Sequence, residues 1–354
     1  MTRWAQALLC AVIIAVSADE SAYAATEPLF VGFYLPWDAA SRADMVQHAG
    51  ALDIIAPMAG ALDSATGTLR WQDDPSRDAA LAKGPDRLKV FPIISNAHDE
   101  VWDTAAADGA LLNAQVGKTV IDTLVSEAKT KGYAGYILDF ENLSPNATPA
   151  YAPFLAKLRD ALKPLGRELW ATASLAAPPE AVRSLADASD VIVLMAYDQC
   201  WATGTPGPVA GQDWLEQALE AQLRGADASH YLIALGAYGY DWPQGQPAAV
   251  VSAPNAAQIA KAQGQTVNRE PPAANPHFTY ASPDGRAHAV WYLDAETFRA
   301  QRAFAQARKT RGVAVWRLGL EDPAIWTKAP PAQPGSAIAA PAAPCVALAP
   351  RPGR

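Results

Sequence analysis

The sequence predicts an α/β fold, a (β/α)8 TIM barrel carrying a small β-containing insertion between strands 7 and 8. Three observations carry that expectation. Short, almost continuously apolar runs recur along the chain, the pattern of parallel strands covered on both faces. Segments with helical spacing of apolar residues separate them. Eight such runs occur, which is the number that closes this kind of barrel.

The runs lie at 30–35, 53–58, 89–94, 135–140, 169–173, 191–196, 231–235 and 313–316. The clearest intervening helix places Val116, Val120, Ile121, Leu124, Val125 and Ala128 on one face. One gap breaks the rhythm: roughly sixty residues or more separate the last two runs, well beyond the usual connection length. Pro271-Pro272, Asn275-Pro276 and Pro283-Asp284-Gly285 punctuate turns there, around strand-like segments 278–281 and 288–292. That assigns an insertion at about 243–292, on the top face of a barrel spanning 27–327.

The ends of the chain read differently. Thr2-Arg3 give a positive start, 4–16 an apolar core, and Ala22-Tyr23-Ala24 a small-residue cleavage pattern. Residues 1–24 are therefore expected to be a signal peptide, and the mature protein to be periplasmic or secreted. The apolar core is too short to span a membrane comfortably, so no integral membrane segment is expected after cleavage. Cys10 leaves with the leader; Cys200 and Cys345 read as free thiols, with a single bridge between them as the alternative. The segment 328–354 is rich in Pro and Ala, almost uncharged and without periodicity, so it is expected to be disordered or extended and dispensable.

With 354 residues, half of them hydrophobic, the chain can bury a full core in one large domain. A net charge of −8 and the lack of a basic block argue against a nucleic-acid partner. The five His residues show no metal-ligand spacing, so no metal and no cofactor is expected. The chain reads as a monomer.

The most informative stretch is Gly135-Tyr136-Ile137-Leu138-Asp139-Phe140-Glu141, an apolar run ending in two carboxylates. On a strand Ile137, Asp139 and Glu141 share one face, and the C-terminal strand end is where such a barrel keeps its chemistry. The plainer alternative is a solvated acid pair in the following loop. Other runs end in Tyr34, Trp37 and Asp38; Asn96 and His98; Met195, Tyr197 and Asp198; Tyr238, Tyr240, Asp241 and Trp242; and Trp316. Broad aromatic faces together with carboxylates suit a sugar site, although for any one of these rings taken singly a core position is favoured by roughly two to one.

Spacing narrows the chemistry. Two-carboxylate glycosidases set their acids about 5 Å or more apart, on opposite sides of the scissile bond. Asp139 and Glu141 are neighbours on one face and do not flank a ring. One would protonate the leaving oxygen while the other assists from the same side, and the nucleophile would come from the substrate's own 2-acetamido oxygen.

In these residues the sequence resembles glycoside hydrolase family 18, from about residue 29 to residue 326. Gly135, Asp139 and Glu141 match its fourth-strand motif, Met195-Ala196-Tyr197-Asp198 its Met-x-Tyr-Asp, and Trp316 the tryptophan that ends its eighth strand. The resemblance implies Glu141 as proton donor, Asp139 as the residue that orients and stabilises the acetamido group, and Tyr197 as its hydrogen-bond donor. Asp198, Met195, Trp316, Tyr34, Trp37, Tyr240 and Trp242 would contact substrate. It further implies retaining hydrolysis of a polysaccharide containing β-linked N-acetylglucosamine. Ala134 and Ile137 stand where the fuller family motif carries acids. Two other readings remain: an inactive, glycan-binding lectin of the same fold, and an unrelated barrel glycosidase with Asp198 as covalent nucleophile.

Overall fold

A computed structural model describes residues 28–63, 68–98, 101–327 and 345. The expected signal peptide at 1–24 and the tail at 328–354, Cys345 apart, lie outside these residues. All eight expected strands form. They are β1 (Leu29–Tyr34), β2 (Ile54–Leu62), β3 (Ile93–Ser95), β4 (Gly135–Asp139), β5 (Glu168–Ser174), β6 (Val191–Ala196), β7 (Tyr231–Gly236) and β8 (Gly312–Trp316). Each pairs in parallel with the next, and β8 returns to β1 with Leu29 opposite Gly312. The result is a closed (β/α)8 barrel.

Glycine permits the closest backbone approaches. Gly312 has φ +148°, and a Cβ there would lie 2.1 Å from Leu29 O. At the start of β4, a Cβ on Gly135 would lie 2.3 Å from Glu168 O and 2.4 Å from the Phe91 ring.

Pleat alternation sorts the strand side chains into two cores. Val31, Phe33, Ile137, Trp170, Val193 and Ala234 fill the barrel interior. Phe30, Tyr34, Leu138, Ile192, Ile233 and Val313 pack outward beneath the helices. The helix Ala114–Lys131 shows how a helix is set against that outer layer. Asn113 caps its first turn by accepting from the amides of Gln115 and Val116, Val120, Leu124 and Ala128 are buried, and Gly132 ends it at φ +71°.

Between β7 and β8 lies a four-stranded antiparallel sheet in the order Ala249–Val251, Gly239–Pro243, Ala287–Tyr292, His277–Ala281. The helix Ala253–Ala262 covers one of its faces with Ala256 and Ala260 against Phe278 and Val290. Its first strand begins at Gly239, ahead of the 243 boundary read from the sequence. Tyr240 and Trp242 therefore belong to this sheet and not to the end of a barrel strand. No helix among the described residues is long and apolar enough to cross a membrane.

The reading of Cys200 and Cys345 as free thiols is corrected by the structure, in which they form a disulfide. The two lie 145 positions apart in sequence, and folding brings their Cα atoms to 5.3 Å. Cys200 is buried, among Val209, Ala210, Tyr240 and Trp242. Cys345→Ser is expected to lower unfolding stability by about 2–4 kcal/mol, because the bridge constrains a long loop in the unfolded chain. Denaturant titration of the oxidised proteins reads this, and coincident midpoints would show that the bridge adds nothing to stability.

Candidate active site

Glu141 follows β4 by two residues, and Asp139 ends it. Ile137 is fully buried inside the barrel, and alternation sets Asp139 above it at the C-terminal mouth, 6% exposed. On the adjacent strand β5, Thr172 Oγ1 donates to Asp139 Oδ1 at 2.6 Å. Burial pushes the Asp139 carboxyl up to about 6, and the Thr172 hydrogen bond opposes that rise. Glu141 is half-buried. Desolvation first, then the negative charges of Asp139 and Asp198, push it up to about 8. Both carboxyls are thus pushed toward the protonated form, Glu141 further, because it faces two negative charges and lacks the hydroxyl donor that Thr172 gives Asp139.

The wall opposite is built by β6 and β8. Met195, on the inward-facing parity of Val193, is half-buried near the end of β6, and Tyr197 follows that strand. The Tyr197 ring stacks near-parallel on Trp316, centroids 6.2 Å apart, and Trp316 meets Phe33 edge-on. Burial first, then the charges of Asp139, Glu141 and Asp198, raise the Tyr197 phenol far above its ordinary value. It therefore stays a hydrogen-bond donor. Asp198 adopts φ +57°, a left-handed conformation that turns the chain sharply after β6.

Asp198 Oδ1 accepts from the hydroxyls of Tyr238 and Tyr240, the second at 2.9 Å. Asp198 is exposed as a residue, but protein atoms crowd its carboxyl group. That crowding raises its carboxyl pKa, and the two phenol hydrogen bonds oppose the rise. At the lip of the barrel, Arg317 Nη1 donates to Asp38 Oδ2 at 2.8 Å and joins the end of β8 to the loop after β1.

The structure thus brings Asp139, Glu141, Met195, Tyr197, Asp198 and Trp316 to one mouth. Trp37 stands on the loop after β1 with 54% of its surface exposed. Tyr34 is a correction. The alternation that turns Phe33 inward turns Tyr34 outward, where it is fully buried against helices and its hydroxyl donates to Asp74. Trp242 is a second correction, being 2% exposed within the apolar cluster that holds Cys200. Tyr240 is also buried, and its hydroxyl serves Asp198 instead of an open surface.

The sequence reading passed over Thr172, whose signal was a polar side chain on the inward parity of the apolar run 169–173. It noted Tyr238 without assigning it to the site. Among the described residues no group of three or more His, Cys, Asp or Glu side chains is arranged to hold a metal ion.

Comparison with known proteins identifies the family. The family model described as "Glycosyl hydrolases family 18" matches residues 29–321. The chain is 25% identical to the uncharacterized glycosylase YvbX of Bacillus subtilis, over 72% of this chain and 77% of that protein. It is 27% identical to the cortical fragment-lytic enzyme of Bacillus subtilis, over 67% of this chain but 58% of that enzyme. In fold it is similar to a Chromobacterium violaceum chitinase, with TM-score 0.76, 23% identity and coverage of 84% and 96% of the two chains. The same TM-score of 0.76 relates it to the Bacillus megaterium spore cortex-lytic enzyme SleL, at 22% identity and 84% and 72% coverage. The chain belongs to glycoside hydrolase family 18 and is a glycosidase.

Proposed function

We propose that the protein cleaves β-linked N-acetylglucosamine-containing glycans with retention of configuration, using the substrate's acetamido oxygen as nucleophile. Glu141 protonates the leaving oxygen and then activates water. Asp139, an anion at neutral pH, steadies the positive charge that grows on the cyclising acetamido group. The Tyr197 hydroxyl donates to the acetamido oxygen from the opposite wall, and the indole of Trp316 lies under the sugar. The observation that carries this reading is the unequal carboxyl pair on one strand end, Asp139 tied to the Thr172 hydroxyl and Glu141 pushed up by burial and two negative neighbours. Asp198 is less suited to covalent attack, because two phenols occupy one of its oxygens. The relatives are spore cortex-lytic enzymes and chitinases, so peptidoglycan strands and chitin are the glycans to assay first.

Glu141→Gln is expected to fold normally and to lose at least about 10²-fold in kcat, the contribution of a positioned general acid. Turnover within a few-fold of the wild type would remove Glu141 from this role.

The pH dependence of kcat/KM should be bell-shaped. Activity falls above pH about 8 as Glu141 loses its proton, and below about 6 as the pair takes up a second one. Asp139→Asn removes a negative neighbour that holds the Glu141 proton, so the residual alkaline limb should move to lower pH. A limb that stays in place or moves upward would contradict the coupling of the two groups.

The nucleophile is tested on the substrate itself. Oligosaccharides lacking the N-acetyl group at the cleavage subsite should be inert, and a thiazoline analogue of the cyclised intermediate should inhibit competitively. Efficient hydrolysis of the free amine, with no inhibition by the thiazoline, would move attention to Asp198. Trapping a 2-fluorosugar ester on Asp198 would then establish the covalent mechanism.

A further inference from the structure

We infer that Asn96 is a positioning residue for the proton donor, its side-chain amide replacing the rung of sheet that would otherwise hold the peptide of Glu141. The inference rests on the reading of Glu141 as the acid, and goes beyond it in saying what aims that acid. The backbone ladder between β3 and β4 stops at Ser95 opposite Asp139. Beyond it, the Glu141 amide donates to Asn96 Oδ1 at 2.9 Å. Asn96 Nδ2 donates to Glu141 O at 2.9 Å and to Asp103 O at 3.0 Å. One fully buried side chain therefore satisfies both backbone groups of Glu141.

The clamp is anchored on its other side. The Asp103 amide donates to Asn96 O at 2.8 Å, and Asp103 Oδ1 caps the helix Thr104–Leu112 by accepting from Ala106 N. From that helix Thr104 Oγ1 donates to Asn142 O at 2.8 Å, just after Glu141, where Asn142 turns the chain at φ +53°. The peptide groups on both sides of the Glu141–Asn142 junction are thus tied to the loop that follows β3.

Only a short carboxamide meets these demands. It carries two donors and an acceptor within reach of one peptide, whereas an ionised Asp lacks the donors and Leu lacks both. The side chain of Glu141 has freedom the ladder no longer limits, so its aim depends on this backbone. A misplacement of about 1 Å at a reacting group costs on the order of 10²-fold in rate.

The test compares Asn96→Ala with wild type on two substrates. One is a β-1,4-linked N-acetylglucosamine oligosaccharide, whose sugar leaving group needs a proton. The other is a 2,4-dinitrophenyl glycoside of the same chemistry, whose leaving group departs without one. The kcat/KM for the oligosaccharide is expected to fall about 10- to 100-fold, while kcat/KM for the aryl glycoside, which reports bond cleavage before Glu141 activates water, changes less than about threefold. Parallel losses on the two substrates would overturn the proposal, since a general weakening of the fold acts on both alike.

A readout independent of turnover is the 13C titration of the Glu141 carboxyl, assigned by its loss in Glu141→Gln. Asp139, Asp198 and Tyr197 face that carboxyl in both proteins, so a change of midpoint reports its position. The midpoint should drop toward the ordinary carboxylate range in Asn96→Ala, and an unmoved midpoint would overturn the inference. If wild type turned over neither substrate while the midpoint still moved, the positioning role would stand and the hydrolase reading would fall. Asn96→Leu, close in volume and uncharged, removes the same hydrogen bonds and serves the same titration should Asn96→Ala not fold.

Discussion

Closure of the sheet between β1 and β8 is the constraint on which the rest of this molecule depends. An open sheet would leave a row of backbone donors and acceptors unpaired at each edge. Closing it joins residues from the two ends of the described barrel, with Leu29 opposite Gly312 and Gly32 opposite Val315. The same register carries Trp316 to the mouth, against Phe33 of the neighbouring strand and Tyr197 from β6. The ion pair of Arg317 with Asp38 sits directly above the seam. The aromatic stack of Tyr197 and Trp316 at the mouth is therefore a consequence of the closure.

Within that frame, three carboxyl groups share one mouth, from buried Asp139 to exposed Asp198, and their environments differ because their partners differ. Asp139 has the Thr172 hydroxyl, which favours the anion. Asp198 has two phenols on one oxygen, which do the same. The Glu141 carboxyl has no hydrogen-bond donor among the described residues and faces both of the other negative charges. Glu141 is therefore the group whose anion has the least support. The apolar Ile137 beneath Asp139 leaves this arrangement to Thr172 on the adjacent strand, where the fuller motif would place an acid on β4 itself.

Rigidity is distributed around this chemistry with some economy. The acid stands just past the end of its strand, where ladder hydrogen bonds no longer act, and Asn96 replaces them. On the far wall, Tyr238 and Tyr240 brace Asp198, and the cluster around Trp242 and the Cys200–Cys345 bridge lies behind them. Elements outside the eight strands thus fix groups that the strands alone would leave free.

The sequence by itself determined the eight strands, the helix faces and the pair of carboxylates that ends β4. Continuous apolar runs and helical spacing are local properties, and Asp139 and Glu141 stand out because charge interrupts such a run. The direction of individual side chains was decided only by the tertiary structure. In a sheet buried on both faces the pattern is apolar at every position, so Phe33 and Tyr34 look alike until closure assigns one to the interior and one to the helices. The same ambiguity hid the burial of Trp242 and made the aromatic run from Gly239 look like the end of a barrel strand. Pairings between distant segments were equally silent. Thr172 with Asp139, Asn96 with Glu141 and Cys200 with Cys345 each join parts of the chain whose separation carries no periodic signal, and only folding brings them within bonding distance.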